Sequence, residues 1–384
     1  MKTSFIFLLL LVCLSSLAQN VGIGTTTPDA SAKVDIRSTT SGVLLPRMNT
    51  IQRNAIGTPA TGLLIFNTDN SSLEMWNATA WISFGGTGIL NNGVPVGATC
   101  TNGWSSKADF GGTGRYGASS FTIGTKGYMG TGYDGTYRKD FWEYDPVNNS
   151  WTQKADFGGA GRSTAAAFAT ATKGYIGNGY DGTNKKDFWE YDPLSNSWLQ
   201  RLDFAGTARS NSIGFAIAGK GYVGMGYDAI DRNDIWEFDP ATNTWTQKAD
   251  FIGAARYGGV AFSIGSKGYY GTGQLSNGSY KKDFWEFDPV ANSWVQKADL
   301  TGVSRTAAVG FSMGTKGYIG TGTNGTVRKD LWEYDPQTNA WLQKADLTGT
   351  ARYSATAFVI GAKAYIATGI SSGFSLKELW EYCQ

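Results

Sequence analysis

Histidine is absent from this chain of 384 residues, and that absence excludes several kinds of active site. Without histidine there is no Ser-His-Asp triad, no histidine-ligated zinc or copper centre and no imidazole general base. Proline is scarce, with nine residues, and cysteine is limited to three. We therefore predict no catalytic residue of these classes, no metal and no other cofactor.

An excess of charge of either sign is also lacking, since 33 lysines and arginines face 31 aspartates and glutamates. Nucleic-acid binding depends on a strong basic field, so no nucleic-acid partner is expected. Long apolar runs are confined to the first residues, where Lys2 precedes the run Phe5 to Leu14 and small residues follow at Ser16 and Ala18. This pattern predicts a signal peptide over residues 1–18, no later membrane span, and a secreted protein that is periplasmic, on the cell surface or extracellular.

Glycine and aromatic residues are abundant, with 52 glycines, 14 tryptophans and 19 tyrosines, and they recur at a fixed period. The block W-x-x-K-A-D-F repeats every 47 to 49 residues, and the block D-F-W-E-Y-D-P keeps the same period. The first block begins at Trp104, Trp151, Trp198, Trp245, Trp294 and Trp341. A period of this length indicates a repeat fold rather than a single irregular domain.

One repeat, Arg115 to Lys154, predicts four short strands. These are Ala118 to Ile123, Tyr128 to Gly132, Phe141 to Tyr144 and Ser150 to Lys154. The strands are separated by glycine, asparagine and Asp-Pro turn signals, and no helical period interrupts them. Because one such sheet cannot bury both faces, copies are expected to stack around an axis.

The pattern R…K-G-Y-x-G-x-G…D-x-W-x-Y-D-P…N-x-W over residues 101–384 resembles the kelch repeat and, by extension, the galactose-oxidase-like propellers. One departure is that the usual adjacent glycine pair is split here, as in Gly130-Thr131-Gly132. The resemblance implies an all-β fold, a six-bladed kelch-type β-propeller. A copper centre of the galactose-oxidase type is not expected, because its histidine ligands are missing.

The two ends of the repeat region predict how the ring closes. The region begins with a fourth-strand tryptophan, Trp104, and ends with a third strand at Trp380 to Cys383. We expect the first strand to complete the last blade, which removes an exposed sheet edge. Cys100 and Cys383 then fall two repeat positions apart in one turn, and this spacing predicts a disulfide between them in an oxidising compartment.

Residues 19–84 lie outside the repeat and predict a small β-rich segment, with strands alternating with turns from Gly62 to Phe84. The pieces N-V-G-I-G-T-T-T-P and G-V-L-L-P-R-M resemble the N-terminal region of many secreted surface proteins of the Bacteroidetes. Similar segments occur in fibre-like proteins that trimerise, so the resemblance implies a homo-oligomer. Residues 85–100, rich in glycine and asparagine, are interpreted as a linker before the propeller at 101–384.

One arginine in each repeat precedes the inner strand, and two interpretations stand side by side. The six guanidinium groups either ring the channel mouth as a site for anions or acidic sugars, or form structural salt bridges to an aspartate of the repeat such as Asp109 or Asp156. These arginines are Arg115, Arg162, Arg209, Arg256, Arg305 and Arg352. The pattern Gly130-x-Gly132-x-x-Gly135 matches a dinucleotide fingerprint, but a strand follows it instead of a helix, so nucleotide binding is not expected.

The loops between the second and third strands vary most, and they carry tyrosines beside Asp and Asn. Such rings either bind a saccharide or peptide on this loop face, or pack between blades. The candidate residues are Tyr133, Tyr137, Tyr180, Tyr227 and Tyr280. The loop aspartates Asp134, Asp181 and Asp228 lack the dense spacing of a calcium site.

Three functions fit these observations. The preferred one is an exported, non-catalytic binding propeller that recognises a glycan or protein ligand on its loop face. The first alternative is a sugar-modifying enzyme similar to kelch-type epimerases, which would use Arg, Glu and Tyr. The second is a surface scaffold assembled through the N-terminal segment. Nearly equivalent blades favour binding, because they offer repeated contacts and little asymmetric chemistry.

Overall fold

The computed structural model describes residues 21–27, 31–69, 72–84 and 102–384. They belong to two compact units, one within residues 1–96 and one within residues 97–384. The predicted signal peptide and linker lie outside the described residues.

The described residues of the N-terminal unit form six short strands and one helical turn. Its strands are β1 (Val21–Ile23), β2 (Val34–Ile36), β3 (Arg47–Met48), β4 (Leu64–Asn67), β5 (Ser72–Trp76) and β6 (Trp81–Phe84). β1 pairs in parallel with β2, and β3 to β6 form one sheet in chain order. The strands of the Gly62–Phe84 stretch agree with the predicted alternation of strand and turn.

Helix α1 (Thr50–Asn54) was not expected from the sequence, and its first turn explains it. The Asn49 side chain accepts a hydrogen bond from the Gln52 backbone N–H, and the Gln52 side chain accepts one from the Asn49 backbone N–H. This reciprocal pair satisfies two N–H groups that a helix start leaves open. Arg53 at the end of the turn forms a 2.8 Å ion pair with the buried Glu74.

The second unit contains six four-stranded antiparallel sheets of one design. Sheets 1 to 3 comprise β8 (Ser119–Ile123), β9 (Lys126–Gly130), β10 (Phe141–Asp145) and β11 (Ser150–Lys154); β12 (Ala166–Ala169), β13 (Gly174–Gly177), β14 (Phe188–Asp192) and β15 (Ser197–Arg201); β16 (Ile213–Ile217), β17 (Lys220–Gly224), β18 (Ile235–Asp239) and β19 (Thr244–Gln247). Sheets 4 and 5 comprise β20 (Val260–Ile264), β21 (Lys267–Gly271), β22 (Phe284–Asp288) and β23 (Ser293–Lys297); β24 (Val309–Met313), β25 (Lys316–Gly320), β26 (Leu331–Asp335) and β27 (Ala340–Lys344). The second strand begins two residues earlier than the glycine pattern predicts, at Lys126 in place of Tyr128.

Sheet 6 draws its strands from both ends of the repeat region. Its members are β28 (Thr356–Ile360), β29 (Lys363–Ala367), β32 (Leu379–Cys383) and β7 (Gly103–Lys107), and the hairpin β30 (Ile370–Ser371) and β31 (Phe374–Ser375) lies between β29 and β32. Cys383 pairs with Gly103, and Leu379 pairs with Lys107. Sheet 1 has the same register, with Asp145 opposite Ser150 and Phe141 opposite Lys154.

The first strand of each sheet contacts the first strand of the next, and β28 contacts β8. Aromatic rings cross from sheet to sheet. A Cβ atom added to Gly174 would lie 2.1 Å from the Phe121 ring of the preceding sheet. The glycine in K-G-Y therefore makes room for the neighbouring ring. Repeated four-stranded sheets in this arrangement form a propeller-like, almost entirely β fold.

Tryptophan side chains connect the sheets through hydrogen bonds as well as packing. The fourth-strand Trp151 donates its Nε1–H to the Ala108 carbonyl of the preceding sheet, at 3.2 Å. Asn149 accepts from the Ala108 backbone N–H and from the Tyr144 hydroxyl. In sheet 6, Asn102 accepts from the Tyr382 hydroxyl at 2.6 Å, so the N-terminal strand supplies the same contact.

Candidate functional site

The six repeat arginines lie inside the sheets, with at most 1% of each residue exposed. Arg115 donates to both carboxylate oxygens of Asp140, at 2.7 and 2.8 Å, and to the Thr131 carbonyl at 2.9 Å. Its guanidinium also stands 4.9 Å from the centre of the Phe110 ring. A buried charge needs this level of satisfaction, because leaving it unpaired is costly.

The acidic partners of these arginines differ from the ones expected from sequence. Asp109 instead lies 3.3 Å from Lys377, and Asp156 lies 3.7 Å from Lys139. Each arginine pairs with the acidic residue just before the third strand, 25 to 27 positions later in the chain. These residues are Asp140, Asp187, Asp234, Asp283, Asp330 and Glu378.

The same carboxylates also hold the third-strand tryptophans. Trp142 donates its Nε1–H to Asp140 at 2.8 Å, and Trp189 does the same to Asp187. Burial alone would raise the pKa of Asp140, but hydrogen bonds from Arg115 and Trp142 outweigh burial and lower it. Since these guanidinium bonds are made within the sheets, the structural interpretation of the arginines is favoured over an anion-binding ring.

The G-x-G segment after the second strand packs against the aliphatic part of the arginine side chain. Thr131 and Gly132 adopt φ values of 60° and 96°. A Cβ atom added to Gly132 would lie 3.0 Å from Cδ of Arg115, so the backbone has to approach closely here. Strand β10 follows this turn, and no helix N-terminus is present to receive a phosphate.

The loops between the second and third strands carry the predicted tyrosines on equivalent positions. Tyr133 bridges to Tyr116 on one side and to Tyr137 on the other, and Tyr180 and Tyr227 take the place of Tyr133 in sheets 2 and 3. In the remaining sheets this position holds Gln274, Thr323 and Ile370. The loop face is therefore chemically uneven, although its backbone repeats.

Four tyrosine rings follow one another along sheets 1 and 2, and we call them the tyrosine ladder: Tyr116, Tyr133, Tyr137 and Tyr180. Successive ring centres lie 5.6, 4.9 and 5.9 Å apart. They line a cavity of about 540 Å³ with Tyr227 and the polar residues Ser163, Thr164, Asn184, Ser210 and Asn211. Burial, followed by the neighbouring phenols of Tyr133 and Tyr353, raises the pKa of Tyr116.

The rings of the ladder contact one another and are also partly exposed to solvent, where a ligand could reach them. Tyr180 is 39% exposed, and Tyr133 and Tyr137 are half-buried. Within the described part of the chain, none of the four phenol hydroxyls forms a side-chain hydrogen bond to a protein group. The ladder thus offers apolar ring faces together with hydroxyls free to bind a polar molecule.

The remaining predicted tyrosines form a second group. Tyr227 lies 5.4 Å from Tyr257, ring centre to ring centre, and Tyr280 bridges to Gln274 in the same sheet as Tyr257. Sequence reasoning missed Tyr116, Tyr257 and Tyr353. The dipeptide Arg-Tyr could have indicated them, because each directly follows a buried arginine whose place in the repeat is fixed.

The loop aspartates form ion pairs with a cation four residues later. Asp134 lies 2.8 Å from Arg138, Asp181 lies 2.8 Å from Lys185, and Asp228 pairs with Arg232. Burial would raise the pKa of Asp134, but hydrogen bonds from Thr113, Arg138 and Thr136 lower it to about 2. Across the described residues, no group of three acidic or cysteine side chains could hold a metal ion.

The centre of the ring is narrow. Small residues of the inner strands line a cavity of about 190 Å³, among them Ala166, Gly214 and Gly310. A Cβ atom on Gly214 would lie 2.7 Å from the Ala167 carbonyl oxygen of the neighbouring strand. This volume is small for a sugar site, so the tyrosine ladder is the better candidate.

Two further predictions concern the disulfide and the absence of a membrane span. Cys383 ends β32 opposite Gly103, whereas Cys100 lies outside the described residues, so the disulfide stays a prediction. Among the described residues, no helix is long and apolar enough to span a bilayer.

Comparison with known proteins yields a match to a family model and likenesses to solved structures. Residues 22–97 match the family described as the phage tail like trimerisation region. No curated protein matches the chain.

A solved structure titled "Structure of YjhT" is similar to this chain, with a TM-score of 0.59 and 17% sequence identity. The likeness covers 71% of this chain and 94% of that chain. At this identity it supports the fold alone. Together with the repeated four-stranded sheets, it shows that the repeat region has a β-propeller-like fold.

Proposed function

We propose that this protein is an exported, non-catalytic propeller that binds a carbohydrate on its loop face. The observation that carries the proposal is the tyrosine ladder, four rings in mutual contact along a cavity of about 540 Å³. Pyranose rings present apolar C–H faces edged by hydroxyls. Aromatic faces and nearby hydroxyl and amide groups complement both parts of such a ligand.

The lining of the cavity favours binding over acid–base catalysis. Its described residues offer phenol, hydroxyl and amide groups, such as Ser163, Asn184 and Asn211, and no carboxylate. General acid–base chemistry on a sugar is most efficient with a group whose pKa lies near the working pH, and a phenol, with an ordinary pKa of about 10, is poorly suited to that role near neutral pH. The buried Tyr–Glu pairs, such as Tyr128 with Glu143, are engaged with each other and do not line this cavity.

A glycan array probed with the recombinant mature chain tests this function, followed by calorimetry on the best ligand. The variants Tyr137→Ala and Tyr180→Ala should each weaken binding about tenfold, because each removes one stacking surface. Phe374→Ala is the matched control, since Phe374 is a 75% exposed ring on the loop hairpin of sheet 6. A folded protein that binds no glycan would overturn the proposal.

We further propose that the six sheets are the blades of a closed ring, with the first strand completing the last blade. The shared register of β7 on β32 and β11 on β10 supports this closure. A disulfide between Cys100 and Cys383 would join the two ends beside that strand pair. Mass spectrometry of the unreduced, alkylated protein should show no modified thiol on either cysteine, and two labelled thiols would contradict the bridge.

Export is proposed from the apolar leader and from this predicted disulfide, which needs an oxidising compartment. N-terminal sequencing of protein secreted by a bacterial host should begin near Gln19. Retention of the uncleaved chain inside the cell would contradict export.

The N-terminal unit is proposed to assemble three copies of the chain. Val21, Ile23, Val34 and Ile36 share one face of the β1–β2 pair, and each is 44 to 56% exposed. Such a face is typical of an interface, and the match of residues 22–97 to a trimerisation family supports three copies as its occupant. Three linked propellers would increase avidity for a repetitive ligand.

Light scattering coupled to gel filtration of the mature chain tests the assembly. The expected mass is that of a trimer, and the double variant Ile23→Asp/Ile36→Asp should be monomeric. Val290→Asp, at a 92% exposed position in a turn of sheet 4, should remain trimeric. A monomeric mature chain would contradict the proposal.

A further inference from the structure

One loop position has the same backbone contact in every sheet and is cationic in sheets 1 to 5, but an aspartate pairs with this cation only in sheets 1 to 3. Its backbone N–H donates to the carbonyl of the second glycine of G-x-G, or of Gly369 in the A-T-G of sheet 6, at 2.8 to 2.9 Å. This equivalence does not depend on sequence alignment, because the hydrogen bond itself identifies the position. The six residues are Arg138, Lys185, Arg232, Lys281, Arg328 and Leu376.

In sheets 1 to 3 the cation at this position is neutralised by its own loop. The aspartate four residues earlier lies 2.8 Å from it in each case. The aspartate side chains are 7 to 18% exposed, so these pairs are partly desolvated and well ordered. Such a cation has little capacity left to attract an external anion.

In sheets 4 and 5 the cation remains and the aspartate is replaced. Leu275 stands two residues after the second glycine in sheet 4, and Asn324 stands there in sheet 5. Arg328 donates to the amide oxygen of Asn324 at 3.0 Å. Among the described residues, neither Lys281 nor Arg328 has a carboxylate within salt-bridge distance.

The surroundings do not supply the missing charge in another way. The loop segments 274–280 and 323–327 contain no acidic residue. Asp231 is the acidic group facing the loop of sheet 4, and its carboxylate accepts hydrogen bonds from the backbone N–H and the hydroxyl of Ser276. In sheet 1 the Nε–H of Arg138 donates to the Asp134 carboxylate. The equivalent Nε–H of Arg328 has no hydrogen-bond partner among the described residues.

We infer that Lys281 and Arg328 form an anion-binding subsite of the loop face, and that the carbohydrate ligand is acidic. This inference rests on the proposed carbohydrate-binding function and names its substrate class. The ligand is then an oligosaccharide whose neutral ring faces contact the tyrosine ladder in sheets 1 and 2 and whose carboxylate or sulfate groups contact Lys281 and Arg328 in sheets 4 and 5. A guanidinium suits both oxyanions, because its planar N–H groups can donate to two oxygens at once.

The test compares ligands that differ in charge alone. Probes are oligogalacturonides as free acids and as neutral methyl esters, and chondroitin sulfate beside desulfated chondroitin, which keeps its carboxylates. The double variant Lys281→Gln/Arg328→Gln should weaken binding of the free-acid oligogalacturonide about tenfold and leave binding of its methyl ester within twofold. Added salt should weaken binding of the acidic probe to the parent protein and have little effect on the variant.

Two further variants separate a subsite from a general charge effect. Asn324→Asp recreates the ion pair of sheets 1 to 3 and should weaken acidic binding several-fold without altering the fold. Lys282→Gln/Lys329→Gln removes the same net charge at exposed lysines adjacent in sequence and should leave binding unchanged.

Each outcome is decisive. If neutral probes bind through the tyrosine ladder and acidic probes bind no better, or if both double variants weaken acidic binding equally, the anion subsite is wrong and the carbohydrate-binding function stands. If no glycan binds, acidic or neutral, both are wrong. A preference for sulfated over carboxylated probes, or the reverse, lost in Lys281→Gln/Arg328→Gln, supports the subsite and identifies its anion.

Discussion

The buried arginine and the loop position that follows it lie 23 to 25 residues apart in each repeat, yet the two positions differ in how strictly they repeat. The arginine occurs in all six sheets, always fully buried and always paired with an acidic residue. The loop position holds an arginine, a lysine or a leucine, and its acidic neighbour is present in only three sheets. The sheet interior is thus uniform, whereas the loop face varies.

Physical cost explains this difference. Removing one partner of a buried ion pair leaves an unsatisfied charge, so each sheet has to retain the pair to be stable. A surface ion pair contributes little to stability, and its residues can therefore change from sheet to sheet. Within this protein, repetition indicates a structural role, and departure from the repeat indicates where a ligand would be recognised.

Acid pH should produce the largest effect, because it acts on every buried pair at once. Hydrogen bonds from the paired arginine and tryptophan lower the pKa of five half-buried aspartates, although burial opposes this. The stability they contribute is complete well above the unfolded pKa of 3.8 and is lost as pH falls through that value toward the lower native pKa. Urea unfolding should show a steep fall in the free energy of unfolding between about pH 5 and pH 2.

A variant that lacks one Arg–Asp pair tests whether these pairs cause the pH dependence of stability. Arg162→Met/Asp187→Asn should show a shallower dependence on pH than the parent protein, since one fewer carboxyl titrates. Equal stability of the parent at pH 6 and pH 3 would contradict the structural role of the pairs.

Removal of a single buried arginine should have the next largest effect. Arg162→Ala leaves Asp187 without its partner and should lower the free energy of unfolding by about 3 kcal/mol. The control Lys186→Ala lies next to Asp187 in sequence but is exposed, and it should change stability by less than about 0.5 kcal/mol. Chemical denaturation measures the free energy of unfolding of both variants. Equal losses in the two variants would contradict the proposed difference between the sheet interior and the loop face.

The smallest effect on stability is expected at the tyrosine ladder. Tyr180→Ala removes an exposed ring and should change the free energy of unfolding by less than about 0.5 kcal/mol, although it should weaken carbohydrate binding. Thermal unfolding and calorimetry on the same preparation measure the two quantities. A large loss of stability would mean that the ring packs for structure, as in the alternative interpretation of the loop tyrosines.

Much of the fold could be predicted because each strand is encoded locally. Trp142 and Tyr144 alternate with Glu143 and Asp145, and Asn149 marks a turn where its φ is 48°. The acidic partner of Arg115 could not be predicted in the same way. Asp109 and Asp140 are both plausible by charge, and only the folding of the third strand beside the arginine loop brings Asp140 within 2.7 Å.

Periodicity in the chain determined the number of sheets, the strands in each and the tryptophans that connect them. These features depend on local strand and turn signals, and on each repeat packing against the next in the same way. Tertiary structure alone decided which charges neutralise one another and which rings meet. Salt bridges and ring contacts depend on separations of a few ångströms between residues distant in sequence. The candidate site depends on such tertiary contacts, because the ladder joins Tyr116 and Tyr180 from different sheets. Only the structure shows that Arg328 lacks the carboxylate partner that the equivalent residues of sheets 1 to 3 have.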